Sequence, residues 1–227
     1  MTQLNTIAFH VVASPETNDH EVEIFVDGKP FIAKHWPDMM GMDPDALLSY
    51  SKLAPRDGSH EATVVRCRCG EAGCGSAWVR ISGEGDQVIW DSWEGDKGDP
   101  PARTLVFARD QYMEALREAV EDHSWETPDR TAARILRPLV DHDAVARNDL
   151  EYQWASGRIH DDTLTISLKG PPGCHQILVH LAWNNQSPEE IAHEAAILLK
   201  SDPNQWTDLN WHGKKPTPPF DGPAWQR

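Results

Sequence analysis

A segment of nine residues, 67–75, constrains this chain more than any other part of its sequence. It holds three of the four cysteines and three glycines, in the order Cys67-Arg68-Cys69-Gly70-Glu71-Ala72-Gly73-Cys74-Gly75. Glycine lets a backbone reverse direction within a few residues. Thiols gathered so closely bind a metal, pair as a disulfide, or occupy a tight hairpin as small residues.

Zinc is the metal that this arrangement favours, because zinc takes four ligands in a tetrahedral array and thiolates suit it. Cys67 and Cys69 lie on the same side of a predicted strand, and Gly70 and Gly73 permit a reversal that returns Cys74 towards them. We therefore predict Cys67, Cys69 and Cys74 as zinc ligands. The fourth ligand must come from elsewhere, and the sequence does not distinguish between the candidates Cys174, His175, His60 and His123.

The cysteine pattern leaves other interpretations open. Its spacing, C-x-C-x4-C, is uncommon, and the pair of C-x-x-C knuckles found in many zinc sites is absent. A catalytic metal site, a disulfide or redox pair between Cys69 and Cys74, and unligated thiols in a hairpin therefore stand beside the structural zinc site.

Short stretches of alternating apolar residues, separated by turn residues, predict strands along most of the chain. The predicted strands are 6–12, 21–26, 29–33, 63–69, 77–82, 87–93, 104–107, 150–159, 163–169 and 176–183. Strands of this kind form antiparallel sheets with one face covered by helices. The expected fold class is therefore α+β, with a repeated strand–strand–helix order.

Capping residues mark the helices between these strands. Asp43 before Pro44 predicts a helix that begins at residue 44 and reaches about residue 53. Ser187 and Glu190 form a predicted capping box for a helix that reaches about residue 200. Asp110 is the expected cap of another helix. The face that this helix is expected to bury contains Met113, Leu116 and Val120.

The length of 227 residues is that of one large domain or two small ones. The predicted division is an N-terminal α+β region at 1–126 with the cysteine segment, a C-terminal α+β region at 127–212, and a proline-rich arm at 213–227. Pro128 opens the helix that connects the two regions, and Pro138 is expected to kink or end it.

The net charge of −15 restricts the partners that this chain can bind. It disfavours direct contact with nucleic acid or an anionic membrane, since contact with phosphate depends on Lys and Arg. The start of the chain lacks a basic region followed by an apolar run, and no stretch approaches about 18 apolar residues. We therefore expect a cytoplasmic protein with reduced thiols, whose acidic surface meets a basic protein partner.

No complete catalytic motif is present. The G-x-S-x-G elbow, the phosphate-binding glycine loop and the dinucleotide fingerprint are all missing. Alternation puts Cys174 and His180 on one strand face, but a partly buried structural histidine is the favoured interpretation over a thiol–imidazole nucleophile. The acid pairs sit where caps and turns favour carboxylates: Asp141 with Asp143, Asp161 with Asp162, and Glu189 with Glu190. No catalytic or cofactor-binding residue is therefore predicted.

One set of motifs carries a family resemblance. It comprises Cys67-x-Cys69-Gly70-Glu71-x-Gly73-Cys74, an aliphatic strand ending at Ile81, Val88-Ile89-Trp90, and Phe107 before Gln111-Tyr112-x-x-Ala115-Leu116. Residues 62–120 resemble, in these features, a group of uncharacterised bacterial proteins. The resemblance implies that the cysteine segment and its hairpin form one module, and it implies no activity and no catalytic residue.

The expected function is that of a protein-interaction module, such as an immunity or inhibitor protein against a basic toxin, with the cysteines as a structural zinc clip. Ten tryptophans add a possible contact surface, and Trp206, Trp211 and Trp225 near the arm are candidates for a recognition patch. The first alternative is a zinc-dependent enzyme, such as a hydrolase, with Cys67, Cys69 and Cys74 as ligands and water in the fourth position. The second is a thiol redox module.

Overall fold

A computed structural model describes residues 4–14, 19–49, 51–69, 74–95, 98–160, 162–214 and 218–222. The chain divides into two units, residues 1–125 and residues 126–227. Each unit combines antiparallel sheet with helices, which confirms the predicted α+β class. Among the described helices, none has both the length and the apolar character that crossing a membrane requires.

Unit 1 contains two antiparallel sheets and three helices within its described residues. The first sheet has the strand order β1 (Ile7–Val12), β2 (Glu21–Val26) and β3 (Lys29–Pro30). The second has the order β4 (Met39–Gly41), β5 (Ser59–Cys67), β6 (Ser76–Glu84), β7 (Gln87–Gly95) and β8 (Leu105–Ala108). The helices are α1 (Phe31–His35), α2 (Pro44–Leu47) and α3 (Arg109–Glu121).

The core of unit 1 is organised around Tyr112 of α3, whose side chain is fully buried. Its hydroxyl donates to the carbonyl oxygen of Leu53 at 2.7 Å and accepts from the indole Nε1 of Trp90 at 3.2 Å. The neighbouring Gln111 fastens α3 to β1, because its amide donates to the carbonyl oxygen of Ile7 at 2.7 Å and accepts from the Ile7 amide at 3.3 Å. The family resemblance therefore includes three residues that stabilise the fold: Trp90, Gln111 and Tyr112.

The N-terminal half of unit 1 departs from the predicted elements in two places. The predicted strand 29–33 is wrong beyond Pro30, because α1 begins at Phe31. Phe31 and Ile32 are consecutive and both buried, whereas a strand with one covered face buries only alternate residues. The helix predicted to reach residue 53 ends at Leu47, and Ser51 then adopts a left-handed φ of 50°, which no helix continues through.

Helix α3 buries a different face from the one predicted. Its buried residues are Tyr112, Ala115, Leu116 and Ala119. The prediction is right for Leu116, but Met113 and Val120 are 40% and 39% exposed. The N-cap residue is Ala108, which has no capping side chain, and Asp110 lies in the first turn, where its charge interacts favourably with the helix dipole.

Unit 2 is built on one four-stranded antiparallel sheet in the order β12-β11-β10-β9. In chain order, its elements are α4 (Pro128–Leu139), α5 (His142–Ala146), β9 (Glu151–Ser156), β10 (Thr163–Lys169), β11 (Cys174–Ala182), α6 (Pro188–Lys200), a 3₁₀ turn (Pro203–Gln205) and β12 (Leu209–Gly213). Strands β9 to β11 followed by α6 repeat the arrangement of β5 to β8 followed by α3, an antiparallel meander and then a helix.

Local signals in unit 2 act as predicted. Ser187 and Glu190 form the capping box of α6, with both reciprocal hydrogen bonds present. Asp141 accepts a hydrogen bond from the amide of Ala144 as the cap of α5. Pro138 lies in the last turn of α4, which ends one residue later. The described part of the predicted arm includes Gly213 at the end of β12 and Phe220, which packs against the core of unit 2.

Candidate metal centre

The cysteine cluster lies at one end of the β5–β6 hairpin of unit 1. Cys67 is the last residue of β5, and its amide donates to the carbonyl oxygen of Gly75 at 3.0 Å, which closes the hairpin. On its other side Cys67 pairs with Met39 of β4. Cys67 is therefore held by hydrogen-bonded strands on both sides, while Cys69 and Cys74 belong to the connecting turn.

The three sulfur atoms converge as predicted, although one of the two predicted reasons is wrong. Because β5 ends at Cys67, Cys69 does not share a strand face with it. The predicted reversal at Gly70 and Gly73 lies outside the described residues. Even so, the Sγ atom of Cys67 lies 3.2 Å from that of Cys69 and 3.4 Å from that of Cys74.

This spacing is suited to a metal that prefers thiolates. All three Sγ atoms lie within 4.8 Å of one another. Sulfur ligands at about 2.3 Å from a tetrahedral zinc ion are separated by about 3.8 Å, so the cluster needs little rearrangement to bind one. None of the four cysteines forms a disulfide, and the Sγ atom of Cys67 lies 3.2 and 3.4 Å from those of Cys69 and Cys74, which exceeds the length of a disulfide bond.

The electrostatics of the cluster also require a cation if the sulfurs are to ionise together. The hydrogen bonds that Cys74 shares with Cys69 and Cys67, together with repulsion between neighbouring thiolates, raise the pKa of Cys74 to about 11. The Cys74 thiol consequently retains its proton near neutral pH until a metal ion displaces it. Cys69 is exposed and the other two thiols are partly exposed, so an ion can reach the site from solvent.

None of the predicted fourth ligands lies in the cluster. Among the described residues, the cluster contains the three cysteines and no His, Asp, Glu or further Cys. Cys174 and His175 belong to unit 2. His60 lies at the opposite end of β5 from Cys67, and its Nε2 is 2.9 Å from the carbonyl oxygen of Lys52. His123 follows the end of α3.

Cys174 and His180 do not form a thiol–imidazole pair. A register shift between Cys174 and Gln176 places the Cys174 thiol in the same apolar core as Val179. His180 is next to Val179 in β11 and therefore points to the opposite face, so the predicted shared face is wrong. The thiol of Cys174 instead contacts the carbonyl oxygens of Gln176 and His212, at 3.6 and 3.5 Å.

His180 is buried and makes polar contacts that sequence patterns did not indicate. Its Nδ1 lies 3.1 Å from the hydroxyl of Thr165, its Nε2 lies 3.0 Å from the amide nitrogen of Asn210, and the ring of His160 is 4.9 Å away. Burial lowers the pKa of His180 below its usual range. Because Thr165 has no exposed surface, its hydroxyl cannot reach a substrate, which favours a structural role for His180.

The predicted tryptophan patch also needs correction. Trp206 is 2% exposed, and its indole donates to the hydroxyl of Ser201 at 3.0 Å, so it is a core residue of unit 2. Trp211 packs against the same core from a partly buried position. Trp225 lies outside the described residues. Trp206 therefore cannot form part of a recognition surface.

Comparison of the chain with protein-family models, with curated proteins and with solved structures finds no match. Function is accordingly inferred from the residues and their geometry.

Proposed function

We propose that this chain is a cytoplasmic protein-interaction module of the immunity or inhibitor type, which binds a basic partner protein and carries a zinc ion on Cys67, Cys69 and Cys74. The resemblance of residues 62–120 to a bacterial group is part of this proposal. The convergence of three thiols at the end of one hairpin is the observation that carries it.

The zinc ion would act as a structural clip. Strand β5 pairs with both β4 and β6, so a metal bound to Cys67 would tie the turn to the middle of a sheet. Two hollows of unit 1, one beside Phe31 and one beside Trp93, have no cysteine in their lining. A hydrolytic zinc site lies at the bottom of a cleft with an open coordination position. The position of the cysteines at a hairpin end, outside the lining of both hollows, favours the clip, whereas the three ligands found among the described residues are the number that a catalytic zinc site has.

Helix α3 supplies a surface that fits a basic protein. Four of its exposed residues are acidic and one is basic: Asp110, Glu114, Glu118, Glu121 and Arg117. Arg117 is already paired with Glu114 and Glu121, which leaves the helix face acidic. The exposed Met113 and Val120 add apolar area between the charges. Acidic groups around apolar contacts give both the steering and the burial that a protein interface needs.

Metal content tests the clip directly. We expect the purified protein to hold one equivalent of zinc, and three of its four thiols to become reactive in the native state only after chelation. Cys174 is buried and supplies the internal control, since its thiol should become reactive only on unfolding. Protein without zinc after growth in zinc-supplemented medium would contradict the clip. Thiols that instead cycle between reduced and oxidised forms would support the redox alternative.

Charge reversal on α3 tests the interaction. We expect Glu118→Lys to weaken the binding of a basic partner, captured from a lysate of the organism that encodes the chain, by about tenfold. Glu84→Lys makes the same charge change at the end of β6, outside α3, and should leave binding within about twofold. Partner binding should also weaken as salt is added. Equal binding by the two variants would exclude α3 as the interface.

A further inference from the structure

A hollow of about 370 Å³ lies on unit 1 between two segments that are distant in sequence. One wall runs from the end of β2 through α1, and the other is formed by residues 101–105. Its volume falls in the range of sites that bind small molecules.

The charge of this hollow is opposite to that of the chain. Lys29, Lys34 and Arg103 line it together with a single acidic residue, Asp27. The chain as a whole has 36 acidic residues and 21 basic residues. Among the residues that the structure describes, none forms an ion pair within 4.0 Å of these three cations. Their donors are therefore available to a ligand.

The carboxylate of Asp27 offsets only one of the three positive charges, and both of its oxygens already accept hydrogen bonds. One oxygen accepts from the amide of Asn5 at 2.8 Å and the other from the backbone N–H of Thr6 at 2.9 Å. The hydrogen bond from Thr6 lowers the pKa of Asp27, so this carboxyl stays ionised and holds its place at the β2–β3 turn. Three cations facing one occupied anion leave an excess of positive charge.

The floor of the hollow is apolar. Val26, Phe31 and Leu105 are each less than 9% exposed and contribute to the lining. The ring of Phe31 continues into an aromatic cluster, with centroids 5.1 Å from Trp93 and 6.2 Å from Trp36. A ligand with a flat apolar body would therefore rest on a surface backed by packed aromatic rings.

The two walls are fastened together, so the hollow exists before a ligand arrives. The amide of Asp99 donates to the carbonyl oxygen of His35 at 2.9 Å, and Nδ1 of His35 lies 2.8 Å from the carbonyl oxygen of Asp99. Gly98 packs so closely on the indole of Trp36 that a Cβ atom there would overlap it. A preformed site loses less entropy on binding than one that must be assembled.

We propose that this hollow binds a small organic anion, whose apolar body contacts Phe31 and Leu105 and whose phosphate or carboxylate group is held by Lys29, Lys34 and Arg103. Arginine favours both groups because its planar fork matches two oxygens at once, and the lysines add point charges on either side. The lining of this site includes no cysteine and no residue of α3, so the proposal does not depend on the zinc clip or on the interaction surface.

Calorimetric titration with phenyl phosphate and with benzoate tests the proposal, and the tighter of the two identifies the preferred head group. We expect saturable binding with a Kd of about 1 mM or lower for at least one of them. Inorganic phosphate and phenol, which represent the two halves of phenyl phosphate, should each bind at least about tenfold more weakly. The absence of saturable binding by both intact compounds would overturn the proposal.

Two variants locate the binding. Lys34→Ala and Arg103→Ala should each raise the Kd by about tenfold or more, since each removes a charge-assisted contact. Lys52→Ala removes an exposed positive charge of unit 1 outside the hollow and should leave the Kd unchanged. Wild-type affinity in both the Lys34 and the Arg103 variants would show that the anion binds elsewhere, and the proposal would then be wrong.

Discussion

Replacing Cys67 with serine is expected to abolish zinc binding and to remove a zinc-dependent stabilisation of about 4 kcal/mol, at a free zinc concentration about 1,000 times the Kd. Cys67 is the member of the cluster that hydrogen-bonded strands hold on both sides, and its sulfur contacts those of Cys69 and Cys74. Without Cys67, only the two thiols of the turn remain as ligands, and no metal bond connects the turn to β5.

The measurement is urea unfolding of the full chain, with zinc bound and after chelation. In the wild type the two free energies of unfolding should differ by about 4 kcal/mol, and in Cys67→Ser by nearly zero. Cys174→Ser is the matched control, since its thiol lies in the core of unit 2 and outside the cluster. It should lower stability in both conditions and retain the zinc-dependent difference. A Cys67→Ser protein that keeps this difference would refute the cysteine clip.

Part of this fold follows from the sequence because short-range rules dominate there. The strand predicted at 163–169 is observed with the same bounds, because it alternates cleanly and lies between two hydrogen-bonded neighbours. The capping box of α6 also forms as predicted, since Ser187 and Glu190 satisfy each other within three residues. In both cases the decisive interactions lie close together in sequence.

Other elements are decided by tertiary packing, which sequence patterns describe poorly. The apolar residues of α3 admit two adjacent helix faces, one with Met113 and Val120 and one with Tyr112 and Ala119. Tyr112 prevails because its hydroxyl can reach Leu53 and Trp90 inside the core. Such partners are distant in sequence, so the choice of face could not be derived from spacing alone.

The candidate sites show the same contrast. Cys67, Cys69 and Cys74 were identifiable because three potential ligands occur within eight residues. The anion hollow has no such signal. Lys34 and Arg103 are far apart in sequence, and the hydrogen bonds between His35 and Asp99 hold residues 101–105 beside α1. The negative net charge of the chain also argued against an anion site, because an overall excess of acidic residues does not reveal a local excess of basic ones.

Gly41 occupies the junction between the two sheets of unit 1, in a space that only glycine fits. It pairs with β5, and its amide donates to the carboxylate of Glu21 at 2.6 Å. The next residue, Met42, accepts from the backbone of Val22 and donates to that of Val64, at 2.9 and 3.2 Å. A Cβ atom on Gly41 would lie closer than 3 Å to the carbonyl oxygen of Val22, which is held by the strand pairing of β2 and cannot rotate away.

Gly41→Ala is therefore expected to destabilise the protein by about 3 kcal/mol or more. The added methyl group would clash with backbone atoms of Val22, and no flexible side chain can move to relieve the clash. The same variant should bind zinc more weakly, since a displaced β4 disturbs the pairing of Met39 with Cys67. Gly85→Ala is the control: its φ is +57° but its surroundings are open, so its cost is limited to about 1–2 kcal/mol of backbone strain. Urea unfolding and zinc titration measure the two effects. If Gly41→Ala is no less stable than Gly85→Ala, then the two sheets are not held together through this glycine.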